Sequence, residues 1–150
     1  MISRLFALSI VIATQVAAQQ VVFSTAAVDQ CLATGQTETC VGRSSDACEA
    51  ASPFGGTTAG MIDCMSRETA YWDGALNYYY QELRQRGGLP AEKLRDMQRN
   101  WISFRDSACA FEASLYEGGT MAGIVHSSCL LSQTGRQTLY LKSYYEDWDY

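Results

Sequence analysis

Within "QRNWISFRDSAC", residues 98–109, the chain gathers Trp101, Arg105, Asp106 and Cys109. In a cleft, Asp106 could serve as a general acid or base and Arg105 as a clamp for an anion. His126 stands close to Ser127, Ser128 and Ser132. These are the residue types of a nucleophilic pair, but no nucleophile elbow surrounds them, so a histidine on a helix face is expected. Cysteines could hold a metal or exchange thiols. A metal site needs clustered ligands such as C-x2-C with a nearby His, and redox chemistry needs C-x-x-C. Neither spacing occurs among Cys31, Cys40, Cys48, Cys64, Cys109 and Cys129. An even number of cysteines in a small exported chain implies disulfides instead.

The chain's N-terminus supplies the export signal on which that inference rests. "MISRLFALSIVIATQVAAQQ" has a basic start at Arg4, an apolar run from about Leu5 to Ala13, and small residues before Ala18. This is the pattern of a secretory signal peptide over residues 1–18. The run is shorter than the roughly 20 apolar residues that span a bilayer. No cysteine follows for a lipid anchor, and no second apolar run exists, so no membrane association is expected after cleavage. The remaining 132 residues suit one folded unit, divided here into a Cys-rich segment, 19–60, and a helical region, 61–150. Removing Arg4 from the 11 basic residues leaves 10 against 16 acidic ones, a charge near −6. Such a balance argues against nucleic acid or an anionic membrane as partner and suits a basic one.

Three helices must position the residues of the opening stretch. Met61, Met65, Glu68, Trp72, Leu76, Tyr79 and Leu83 step by threes and fours, and only Glu68 is not apolar. That is the buried stripe of a helix. Thr57 or Thr58 suits its start, and Gly87-Gly88 its end. Leu94, Met97, Trp101, Phe104, Ala108, Phe111 and Leu115 predict a second helix, with Pro90 in its first turn and Gly118-Gly119 after it. Leu131, Thr134, Thr138, Leu141, Tyr145 and Trp148 mark a third, with Thr120 near its beginning. Residues 21–53 lack periodicity, and "ASPFGGTTAG", residues 51–60, has neither the Lys nor the preceding strand of a phosphate loop, so it reads as a flexible connection. The fold class is therefore all-α: an antiparallel three-helix bundle or hairpin array with a disulfide-stapled, loop-rich N-terminal segment.

Helix rise turns this scheme into pairings. Cys109 and Cys129 each lie about ten residues from the second Gly-Gly turn, or roughly 15 Å along their helices, which predicts a Cys109–Cys129 bridge. The same arithmetic brings Asp73 level with Arg105, a candidate ion pair, and Asn77 level with Trp101, a candidate polar bond in the seam. Cys31, Cys40, Cys48 and Cys64 allow three pairings, of which the sequential one, Cys31–Cys40 with Cys48–Cys64, is expected. Neighbouring residues do not face each other on a helix, so Arg105 and Asp106 should not serve one substrate group. Trp101, Phe104, Ala108 and Phe111 go to the core, and Asp106 faces outward or pairs with another helix.

Two segments carry a family resemblance. "WDGALNYYY" contains a D-x-x-L-N-x-x-Y pattern at Asp73, Leu76, Asn77 and Tyr80. "QRNWISFRDSAC" contains Q-R-x-W-x-x-x-R-D-x-x-C. With Cys64 before them, and Cys129 and a looser Arg136–Leu139 stretch after, the order resembles the LprI-type lysozyme inhibitor family of small exported bacterial proteins, over about residues 60–142. The Cys-rich N-terminal part departs from the simplest pattern. The resemblance implies a helical, disulfide-linked, periplasmic or secreted protein, and lysozyme inhibition in at least some members; it transfers no inhibitory residues. The expected function is a non-enzymatic protein-binding role against lysozyme, needing no cofactor. The alternative is an envelope structural or interaction protein.

Overall fold

The computed structural model describes residues 20–35, 37–116 and 118–147. The expected signal peptide over residues 1–18, and Trp148 at the end of the third stripe, lie outside the described residues. Among the described residues the chain is helical throughout, with no strand. Two short helices, α1 (Ala26–Ala33) and α2 (Arg43–Ala51), flank a 3-10 turn at Glu38–Cys40. Three long helices follow: α3 (Thr58–Gln85), α4 (Ala91–Ser114) and α5 (Met121–Asp147).

The long helices follow from the apolar stepping. The predicted stripe of α3 is its buried face: Met65, Glu68, Trp72, Leu76 and Leu83 are all buried. Thr57 caps α3, its side chain accepting the Gly60 N–H at 3.1 Å. Gly88 and Gly118 take positive φ in the two turns, where a side chain would be strained. Pro90 occupies the cap position of α4, one residue before the first turn in which it was expected.

The N-terminal segment is more ordered than its composition suggests. Helices of eight and nine residues have too few apolar positions to show a period, and they are held by other means. Cys31–Cys40 ties α1 to the 3-10 turn, and Cys48–Cys64 ties α2 to α3. Val28, Cys40, Met65, Trp72 and Leu131 form one core cluster beneath them. The 51–60 connection is a compact turn rather than a flexible one. A Cβ at Gly55 would lie 2.1 Å from the Glu49 carbonyl oxygen, and one at Gly60 2.2 Å from that of Phe54. Backbone therefore packs on backbone, which only glycine permits.

Helix order in space departs from the simple hairpin picture. The central helix is α5, which packs along both α3 and α4, whereas α3 and α4 meet only over a short stretch. On one side Thr138 donates to the Trp72 carbonyl at 2.9 Å, and Leu141 joins Leu76 and Leu83. On the other, Gln137 donates to buried Gln98 at 3.0 Å, and Cys109–Cys129 links α4 to α5 with Cα atoms 5.4 Å apart.

That disulfide fixes the rotation of α4 and overturns part of its expected core face. Leu94, Met97 and Trp101 do pack inward, beside Leu76, Leu83 and Leu141. Phe104, Phe111 and Leu115 do not: they are 59%, 64% and 66% exposed. The reason is angular. At about 100° per residue, Phe104 stands about 140° round from Cys109, and Phe111 about 160°. With Cys109 facing α5, both must face water.

Candidate functional site

Two surfaces arise from this arrangement. The first is the cleft left where α3 and α4 diverge. Its volume is about 400 Å³, within the usual range of small-ligand sites. Asp73, Leu76, Asn77 and Tyr80 of α3 line one wall, and Gln98, Arg99, Trp101 and Arg105 of α4 the other. These are the positions that define the two sequence segments quoted above. The segments were expected to be consumed in core packing. Only Leu76 and Gln98 are buried; Asp73, Asn77 and Arg99 are exposed, and Tyr80, Trp101 and Arg105 half-buried. The shared signal was visible in the sequence as one face of α3 and one of α4, but the width of the gap was not.

That gap also corrects the expected cross-helix pairs. Asp73 and Arg105 face one cleft without forming an ion pair. The Arg105 guanidinium donates through Nε and Nη2 to Asp106 Oδ1, at 2.9 and 2.8 Å, and stacks on the Trp101 ring with 5.0 Å to its centroid. A long, flexible arginine can fold back on its neighbour even though adjacent Cβ atoms diverge. Asp73 instead accepts from Asn77 of its own helix at 3.0 Å, which removes Asn77 from the expected seam bond. Asp106 remains largely in water, its side chain 57% exposed. His126 is half-buried and makes no hydrogen bond to Ser127, Ser128 or Ser132. Among the described residues, no three His, Cys, Asp or Glu side chains come together as a metal site requires.

The second surface is the outward face of α4 itself. Phe104, Phe111 and Leu115 repeat at i, i+7 and i+11, and exposed Tyr116 and Met121 continue the apolar character around the turn into α5. Of the acidic residues of α4 after Phe104, Glu112 stands nearest this stripe, about 80° round from Phe104, whereas Asp106 lies on the opposite side of the helix. The face is thus apolar. A stripe of large apolar side chains in water, on a helix whose other side is already packed, is a candidate interaction surface.

A third device is structural. The Glu68 carboxylate is completely buried in the α3 stripe. Its Oε1 accepts the Gly42 N–H at 2.7 Å and the Trp72 indole N–H at 2.9 Å; its Oε2 accepts the Ser45 N–H at 2.6 Å. Gly42 caps α2 and has no side chain to do so, so Glu68 supplies the anionic cap from another helix. Nearby, the Tyr71 hydroxyl donates to Asp29 at 2.8 Å, joining α3 to α1. Burial, and then that hydrogen bond, push the Tyr71 phenol well above the usual tyrosine range.

Three cross-links on a frame of long helices, with chemistry-bearing residues on its surfaces, define a disulfide-linked helical scaffold protein. The family model described as lysozyme inhibitor LprI matches residues 48–141, more than half of the chain. The chain belongs to the LprI lysozyme inhibitor family. Comparison with curated proteins and with solved structures returns no match.

Proposed function

We propose that this protein is a non-enzymatic inhibitor of lysozyme, working outside the cytoplasm in the periplasm or as a secreted protein. The observation that carries the reading is the exposed Phe104–Phe111–Leu115 stripe on a protein of formal charge −5. A lysozyme is a cationic partner. The net negative charge of the protein would steer it into encounter, and desolvated aromatic anchors would hold it. Family membership names the partner class. Export is supported by the pairing of every described cysteine in a disulfide, the state that an oxidising compartment maintains. Among the described residues no helix is long and apolar enough to cross a membrane.

The test is calorimetry at low salt against several lysozyme types, together with a cell-wall lysis assay. Binding that weakens as salt rises, with slowed lysis, is the expected result. In Phe111→Ser with Leu115→Ser, affinity should fall at least tenfold, as loss of central apolar anchors does, while the melting temperature stays close to that of the parent. Binding to no lysozyme type at low salt refutes the function. Full inhibition by the double variant refutes the surface.

A further inference from the structure

The cleft between α3 and α4 concentrates positive charge on a protein whose formal charge is −5. Four of its 11 basic residues, Arg84, Arg95, Arg99 and Arg105, line this one cleft, against a single acidic lining residue, Asp73. Two of the four have no carboxylate partner among the described residues: Arg84 and Arg99. Arg95 is held through Nη2 by Glu92 at 2.5 Å and faces Asp96 at 3.7 Å, yet its Nε is buried and hydrogen-bonds to nothing. Arg84 sits over the Tyr80 ring at 5.7 Å and Arg105 over Trp101 at 5.0 Å. Stacking of this kind fixes the guanidinium plane, so less order is lost when an anion arrives, although Arg105 keeps its Nε and one Nη on Asp106. Asp106 already matches Arg105, and Glu92 matches Arg95, so Arg84 and Arg99 are the unmatched charges that an anionic ligand would meet.

The rest of the wall narrows the chemistry. Asp73 would repel a compact dianion, but it accepts hydrogen bonds from hydroxyls. Asn77, beside it, offers an amide oxygen. Leu76 and Ile102 add apolar surface. We propose that the α3–α4 cleft binds a small ligand carrying both carboxylate and hydroxyl groups, of the acidic-sugar class. The arginine forks take the carboxylate in paired N–H···O contacts, and Asp73 and Asn77 take hydroxyls. Arg99 and Ile102 turn toward this cleft while Phe104 and Phe111 turn to water, so the site is separate from the apolar stripe proposed to meet lysozyme.

The experiment titrates the whole mature protein with tri-galacturonate, with neutral maltotriose and with inorganic phosphate. The readout is the indole N–H signal of Trp101 in two-dimensional NMR, assigned by Trp101→Phe. Tri-galacturonate should shift it saturably at millimolar or lower concentration. The Trp72 indole, buried and bonded to Glu68, should stay in place. Arg84→Gln with Arg99→Gln should weaken binding at least tenfold, since each lost charge-assisted pair costs about that factor. Both side chains are exposed, so the fold persists, as circular dichroism will verify. Arg67→Gln, at an exposed pair elsewhere on α3, should leave binding unchanged, as should Phe111→Ser. No Trp101 shift with tri-galacturonate overturns the proposal. So does an equal response to maltotriose or to phosphate, or undiminished binding by the double arginine variant. Because Phe111→Ser acts only on the stripe, loss of lysozyme inhibition and loss of cleft binding remain separable results.

Discussion

Replacing Glu68 by Gln should destabilise this protein by about 3 kcal/mol, through a change of only one atom type. The carboxylate receives three donors: two on Oε1 and one, the Ser45 N–H, on Oε2 at 2.6 Å. Glutamine can keep one oxygen facing Gly42 and Trp72. Its amide nitrogen then confronts the Ser45 N–H, donor against donor, in a site with no solvent access. A hydrogen bond to a charged group contributes about 1.5–3 kcal/mol, and a buried donor left unmade costs about 1–3 kcal/mol. The negative charge at the start of α2 also disappears, a loss of about 0.5 kcal/mol. Local relaxation offsets part of that sum and leaves about 3 kcal/mol, or roughly 10 °C in melting temperature for a chain of this length. Urea unfolding of the oxidised protein measures it. Hydrogen exchange adds a local readout: the Gly42 and Ser45 amides should lose protection before those of α5. A loss below about 1 kcal/mol, or unchanged protection at Ser45, would show that Glu68 is not the cap of α2.

Removing the Cys109–Cys129 bridge with a double serine substitution should cost about 3 kcal/mol, the loop-closure value for 20 residues of separation, read by calorimetry. Trp101→Ala should cost about 2 kcal/mol rather than the 3–5 kcal/mol of a fully buried aromatic, because Trp101 is only half-buried. For Tyr71 the sign is set by its raised pKa: the folded state holds the phenol proton more tightly than the unfolded chain does. That stability is complete below pH 10.0, the unperturbed tyrosine value, and is lost as pH rises above it. Tyr71→Phe should flatten this alkaline loss in brief denaturant titrations at pH 9–11; an unaltered slope would refute the assignment.

The fold was legible wherever one local rule had no competitor. The α3 stripe is the case in point: its apolar spacing admits a single buried face, and Glu68 could be picked out in the sequence as its one anomaly. The Cys109–Cys129 pairing was legible because a short turn converts residue counts into equal heights on two helices. Height, however, is not contact. The same counting placed Asp73 level with Arg105, but α5 packs against both helices and holds α3 and α4 apart, so the two residues share a cleft instead of a bond. Helix α4 shows a second ambiguity. It carries two overlapping stripes of helical spacing, one mixed, through Leu94, Gln98, Trp101, Arg105 and Cys109, the other apolar, through Phe104, Phe111 and Leu115. Spacing favours the more apolar second stripe, whereas the disulfide selects the first. Cys109 was the residue that could have decided it, since a cysteine bridged to α5 must point at α5. Applying that constraint first would have turned Arg105 inward beside Trp101 and left Phe111 in water. A covalent cross-link outranks hydrophobicity in fixing the phase of a helix. An apolar stripe that loses this contest is left on the surface, as Phe104, Phe111 and Leu115 are here.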